Sequence, residues 1–206
     1  MKIAVIGCSW SSGENNWVQI LSTKYPNHHF TNFSVCGVSI EYQTYILDKI
    51  KNNFDLVLFQ ITSLGRFTFW ENHDINNFLY NESTNLKQID EEIYKFVKRI
   101  NYGVILKKPY YMPDDVHKFG QKYYSIINRE QLDLDYKLYT QYIKNQADLC
   151  FFHRKGIDKT DLSVLEKLGK DNFYKYTIDD GDHFSNEGNI WVSNWIEDTL
   201  KSKGLL

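Results

Sequence analysis

Two short stretches at opposite ends of the chain hold the residue types that nucleophilic chemistry needs. Near the start stands Gly7-Cys8-Ser9-Trp10-Ser11-Ser12-Gly13, directly after the apolar run Lys2 to Ile6. A serine just past a strand and before a helix is exposed at a sheet edge, and the nearby helix N-terminus favours developing negative charge. Near the end stands Asp179-Asp180-Gly181-Asp182-His183-Phe184-Ser185-Asn186-Glu187-Gly188. Its histidine lies in a polar, turn-forming loop. Asp180, three residues earlier, can fold back to hydrogen-bond the imidazole, hold its tautomer and stabilise the imidazolium. Asp182, beside the histidine, competes for the same role.

Each stretch also has a plainer reading. The Gly/Ser segment is compatible with an ordinary turn. It is neither a phosphate loop, whose GxxxxGK[ST] pattern needs a lysine, nor a GxGxxG dinucleotide fingerprint. The acidic segment is compatible with a surface turn or a weak cation site, although its carboxylates lack the twelve-residue pattern of an EF-hand. His28, His29, His73, His117 and His153 are scattered without metal-ligand spacing and read as structural. Phe67, Phe69 and Trp70 follow the third apolar run and serve either as a wall or as a substrate platform.

The elements that must position these residues follow from the hydrophobic pattern. Lys2 to Ile6 reads as a buried strand, Trp17–Tyr25 as an amphipathic helix ended by Pro26, and His29 to Val35 as a second strand closed by Cys36-Gly37. Ile40 to Lys51 reads as a helix, and Phe54 to Ile61 as a strongly apolar strand. Residues 64–85 are aromatic and Asn-rich without clear periodicity. Leu86 to Ile100 has the Glu/Lys spacing of an exposed helix face, and a tyrosine-rich helix is expected from about Gly120 to Gln146. Ala147 to His153 reads as a fourth strand, Asp161 to Leu168 as a short helix, Tyr174 to Ile178 as a short strand and Gly188 to Leu200 as a closing helix. Alternating strands and helices at both ends predict an α/β architecture, a three-layer α/β/α sandwich around a mostly parallel sheet of about four or five strands. Its ligand site belongs at the C-terminal ends of the strands. The whole chain, 1–206, is expected to be one domain, with 64–146 an insertion and helical wall.

Bulk properties narrow the partners. The 206 residues suit one large domain, and 24 Lys and Arg against 26 Asp and Glu give a net charge of -2 without charged blocks. That balance disfavours nucleic acid or an anionic membrane held by bulk electrostatics. Aromatic residues make up 16% of the chain, enough to supply both core and a binding surface. The three cysteines, Cys8, Cys36 and Cys150, lie in apolar runs at no disulfide or zinc spacing and read as free thiols in a reducing compartment. The first apolar run is shorter than a signal-peptide core, and no stretch reaches the roughly 18 apolar residues of a membrane span, so a cytoplasmic location is expected.

Taken together, the terminal blocks resemble the SGNH/GDSL hydrolase superfamily. The block centred on Gly-Asp-Ser-Leu is similar to Gly7-Cys8-Ser9-Trp10. An asparagine five residues before an oxyanion-binding glycine is matched by Asn32 and Gly37, and Asp-x-x-His is matched by Asp180 to His183. The resemblance spans nearly the whole chain and implies a flavodoxin-like sheet and a catalytic triad of Ser9, His183 and Asp180. It further implies an oxyanion site from the amides of Ser9 and Gly37, and no metal or organic cofactor. The chain departs from the pattern twice. Cys8 replaces an aspartate, and Gln60-Ile61-Thr62-Ser63 stands where the family has Gly-x-Asn-Asp. Thr62 aligns with the asparagine and is expected to be the third oxyanion donor, with Ser63, Gln60 or Arg66 as substitutes. Trp10, Arg66, Phe67 and Trp70 are the expected substrate contacts. The implied activity is hydrolysis of a small acyl ester, such as an acetyl group on a carbohydrate or similar polar alcohol. An acyltransferase on the same triad and a non-catalytic binding protein of the same fold are the alternatives. Oligomeric state is not legible.

Overall fold

The computed structural model describes residues 1–62, 66–70, 97–101, 118, 121–122, 128–154, 156–178 and 183–206, with backbone alone at 66–70, 97–101 and 129. The first strand, β1 (Lys2–Ile6), is followed by α1 (Trp17–Lys24), β2 (His29–Asn32) and α2 (Ile40–Ile50). Then come β3 (Leu56–Ile61), β4 (Arg66–Trp70) and β5 (Val97–Asn101). The chain closes with α3 (Arg129–Gln146), β6 (Leu149–Phe152), α4 (Val164–Leu168), α5 (Lys170–Lys175) and α6 (Asn186–Ser202).

Four strands form an all-parallel sheet in the order β2-β1-β3-β6. A parallel sheet covered on both faces needs apolar side chains on both, which explains why every residue of β3 is buried and Ile3 to Ile6 are fully so. From β1 the chain first steps outward to β2, then crosses back over β1 to reach β3. Right-handed crossovers then put α1 and α2 on opposite faces. The direction of winding reverses between β1 and β3, and in sheets of this kind ligands bind outside the C-terminal strand ends near such a point. The fold is thus the expected α/β class with a parallel sheet of flavodoxin-like order.

Helix ends follow side-chain caps. Asn16 accepts from the amides of Val18 and Gln19 at the start of α1, and Ser39 from Tyr42 at the start of α2. Ser185 accepts from Gly188 at the start of α6. On one face α1 packs on α6, and on the other α2 packs on α3. The α1–α6 seam is fastened by Glu197, whose carboxylate meets Lys24 at 2.7 Å, Lys201 at 2.6 Å and the Tyr25 hydroxyl at 2.9 Å.

Some expected elements change type. Residues 97–100, read as the end of a helix, form part of β5, which pairs antiparallel with β4. The β-branched Val97 and Ile100 suit a strand, whereas the Glu/Lys spacing that suggested a helix belongs to 86–96, outside the described residues. Tyr174 and Lys175 finish α5, and the expected strand shrinks to a single bridge between Thr177 and Phe184. Of the insertion expected over 64–146, β4, β5 and α3 are described. No helix among the described residues is long and apolar enough to cross a membrane.

The Glu197 seam yields an acid-stability expectation. Side-chain bonds from Lys201, Lys24 and Tyr25 hold the Glu197 carboxyl down at about 2, from an ordinary 4.5. A depressed carboxyl stabilises the fold above its unfolded pKa, and that contribution fades as pH falls toward the folded value. Glu197→Gln should therefore melt below wild type at pH 7. The gap should close between pH 4.5 and 2, as followed by circular dichroism.

Candidate active site

The Ser9 turn is held from four directions. The carbonyl of Cys8 accepts from the amides of Ser11 at 2.9 Å and Ser12 at 3.1 Å, so Ser9 and Trp10 ride the crest of a tight turn directly after β1. Gly7 permits the approach beneath it, because a Cβ there would lie 2.6 Å from Ser11 Oγ and 2.9 Å from Ser34 Oγ. From β3, the buried Gln60 Oε1 accepts from the Cys8 amide at 2.9 Å and the Cys8 thiol at 3.2 Å. From α1, the Trp17 indole donates to Ser11 Oγ at 2.9 Å. From β2, Asn32 Nδ2 donates to the Ser11 carbonyl at 2.6 Å. Ser9 itself is half-buried.

His183 arrives from the other end of the chain. The amide of Ile178 donates to the His183 carbonyl, and that of Ser185 to the Tyr176 carbonyl, each at 2.8 Å. These bonds pair the residues on either side of 179–182, directly before α6. Gly188 is required below them, since a Cβ would strike the Tyr176 carbonyl oxygen and the Phe184 ring. The His183 ring stacks against Trp10 at 6.1 Å between centroids and 23° between planes. Asp180 and Asp182, the two candidate orienting acids, lie outside the described residues.

Ser9 and His183 line one cleft of about 190 Å³, together with Trp10, Ser12, Glu14, Asn16, Phe184 and Asn189. It opens beside the turn that follows β1, between the starts of α1 and α6. Trp10, expected as a substrate contact, is only 3% exposed. Its ring is packed among His153, Phe173 and Phe184 and forms the cleft's wall rather than an open platform. Arg66, Phe67 and Trp70 lie on β4, and their side chains are outside the described residues. Among the described residues no three His, Cys, Asp or Glu gather as a metal-binding group. Burial pushes the Cys150 thiol up to about 12, so it stays protonated and unreactive at neutral pH.

Of the expected oxyanion donors, Gly37 follows β2 with φ of 73°, a left-handed conformation that favours glycine, and the described residues lining the cleft do not include it. Thr62 does not turn its hydroxyl toward the cleft: it is 1% exposed and its Oγ1 donates to the Val38 carbonyl at 3.0 Å. Its single hydroxyl proton is committed there, because α2 lies close over the end of β3. Gln60 is no substitute in this arrangement, since its Nε2 donates to the Ile61 carbonyl while Oε1 holds Cys8. Ser63 lies outside the described residues.

Pattern reading missed two residues around the site. Gln43 of α2 donates through Nε2 to the Gln60 carbonyl and accepts at Oε1 from the Thr62 amide, extending β3 as a neighbouring strand would. His153, read as structural, is buried directly after β6 against Trp10, in agreement with that reading. Asn189 links α6 to α1. Gln60 carried a sequence signal, as a polar residue inside an otherwise apolar strand; Gln43 and Asn189 carried none, being polar residues on amphipathic helices.

No protein-family model matches the sequence, and comparison with curated proteins finds no match. Among solved structures the chain is similar to TesA, at 12% identity and a TM-score of 0.50, with all of both chains covered. It is also similar to the psychrotrophic esterase EstA from Pseudoalteromonas sp., in a structure inhibited by monoethylphosphonate, at 14% identity and a TM-score of 0.45. There 98% of this chain and 97% of the other are covered. The resemblance to SGNH/GDSL-type hydrolases therefore holds at the level of the fold.

Thr62 now makes a structural prediction. Thr62→Val keeps shape but leaves the buried Val38 carbonyl without this donor, which should cost about 1–3 kcal/mol in urea unfolding. A loss of stability of that size identifies the hydroxyl as a fastener of α2 to β3.

Proposed function

We propose that the protein is a serine esterase acting through Ser9 and His183. The observation that carries this reading is that these two side chains, from opposite ends of the chain, line the same cleft beside the turn that follows the first strand of a parallel sheet. Asp180 is proposed as the residue that orients His183, from the Asp-x-x-His spacing.

In the proposed reaction His183 takes the Ser9 hydroxyl proton while Oγ attacks the ester carbonyl carbon. The oxyanion collects between the amides of Ser9 and Gly37; the bonds that close the Ser9 turn are donated by Ser11 and Ser12, not by Ser9. His183 then protonates the alcohol as the ester C–O bond breaks; water attacks the acyl-serine with His183 taking its proton, and His183 returns that proton to Ser9 Oγ as the acyl–Oγ bond breaks and the carboxylic acid leaves. The cleft's size favours a small acyl group, acetyl being the natural candidate. Its lining by Ser12, Glu14, Asn16 and Asn189 favours a polar alcohol such as a carbohydrate hydroxyl over a long apolar chain. With Thr62 turned away, the oxyanion site rests on two backbone amides. Loss of one donor typically lowers turnover about 10²–10³-fold, so a modest rate is expected.

A fluorophosphonate probe tests the nucleophile, since it labels only an activated serine. Wild type should be labelled at Ser9, Ser9→Ala should not, and Ser9→Ala or His183→Ala should lower kcat on p-nitrophenyl acetate by at least about 10³-fold. Asp180→Asn should lose far more activity than Asp182→Asn. An unlabelled wild-type protein, or full activity in Ser9→Ala, overturns the proposal.

A further inference from the structure

Two loops must meet for the proposed chemistry, and one side chain ties them together. Asn189 lies in the first turn of α6 and lines the cleft. Its Nδ2 donates back to the carbonyls of Ser185 at 3.2 Å and Phe184 at 3.5 Å, the two residues that follow His183. Its Oδ1 accepts from the backbone amide of Trp17 at 3.2 Å. The partners fix the amide's orientation, with carbonyls on one side and an N–H on the other.

The Trp17 amide is among the helix-initiating N–H groups that receive no partner within their own helix. The Asn16 cap serves the next two amides, Val18 and Gln19, so Asn189 completes the capping of α1 from another helix. Trp17 in turn reaches the nucleophile's turn, because its indole donates to Ser11 Oγ, and Ser11 closes that turn through its amide on the Cys8 carbonyl. A continuous set of hydrogen bonds therefore runs from the residues after His183, through Asn189 and Trp17, to the turn that carries Ser9.

We infer that Asn189 is a positioning residue that sets the distance and angle between His183 and Ser9. This rests on the proposed Ser9–His183 chemistry. Asn189 acts on the backbone flanking His183 and on the helix braced against the Ser9 turn. Ring packing between Trp10 and His183 tolerates sliding, whereas a directional amide bridge fixes register. A misplacement of about 1 Å between reacting groups can cost on the order of 10²-fold in rate.

The test compares wild type, Asn189→Ala and Asn189→Asp as full-length proteins. It reads the rate of fluorophosphonate labelling, kcat and KM on p-nitrophenyl acetate, and the imidazole Cε1–H NMR signals, with His183→Gln assigning His183. Asn189→Ala should lower the labelling rate and kcat by about 10–100-fold, with KM changed by less than about threefold. It should shift or broaden the His183 signal while leaving that of the distant, exposed His29 in place. Asn189→Asp keeps the acceptor for Trp17 and loses the donors to Phe184 and Ser185, so it should fall between; it makes the same comparison should the alanine variant not fold. An unchanged His183 signal with an unchanged labelling rate overturns the inference, as does a movement of all histidine signals together, which marks a general loosening. If wild type is not labelled at all, the esterase proposal is what fails. The His183 signal, which needs no turnover, then decides the bridge alone.

Discussion

The structure around the cleft depends on one buried carboxamide. Gln60 sits at the end of a strand that is otherwise apolar, 1% exposed, and its Oε1 accepts the amide that β1 leaves unpaired as it turns away at Cys8. An unpaired buried N–H costs about 1–3 kcal/mol, so a departing strand must either keep its partner or find a side chain. Gln60 provides that side chain from the adjacent strand, so the turn bearing Ser9 is anchored where β1 and β3 diverge. Gln43 repeats the device one layer out, pairing with both the carbonyl of Gln60 and the amide of Thr62. The carboxamides thus finish the sheet with side-chain atoms where its backbone ladder stops. Because every polar group in this network is bonded, it is rigid at low cost, and low local dielectric strengthens each bond.

On that anchored floor the walls are aromatic. Trp10 is carried by the same turn as Ser9 and faces His153 and Phe173 below and His183 and Phe184 beside it. The consequence is placement: the residue next to the nucleophile is also the surface on which the histidine's ring lies. Packing sets how close the two loops come, and the hydrogen bonds of Ser185, Gly188 and Asn189 set their orientation.

The departures from the SGNH/GDSL pattern acquire a common explanation in this frame. Where that pattern has an aspartate before the serine, this chain has Cys8, which is buried and directed at Gln60. Where the pattern has an asparagine after the third strand, this chain has Thr62, bonded to Val38 beneath α2. Both positions have been drawn into the support of the sheet end. The Gln60–Cys8 contact and the Gln43–Thr62 contact are therefore parts of one arrangement, in which structural amides occupy the region of the missing donors.

Much of this was determined by the sequence alone. Runs such as Lys2 to Ile6 and Phe54 to Ile61 are long and apolar enough that only a strand covered on both faces accommodates them, and their alternation with amphipathic segments requires a parallel sheet. The turn after β1 and the closing helix α6 were legible for the same local reason, since each is dictated by residues a few positions apart. Tertiary structure alone decided the rest. Thr62 was a donor by alignment and became a fastener because the segment leading into α2 brings the Val38 carbonyl within reach. Trp10, expected as a substrate contact from its position beside Ser9, is held as part of the cleft's wall because His153, Phe173 and Phe184 bring rings against it. Gln43 and Asn189 look like ordinary polar residues of a helix until the packing of α2 on β3 and of α6 on α1 gives them backbone partners. A hydrogen bond's value depends on what lies 3 Å away, and for these residues that partner is remote in the chain, so no local pattern could record it.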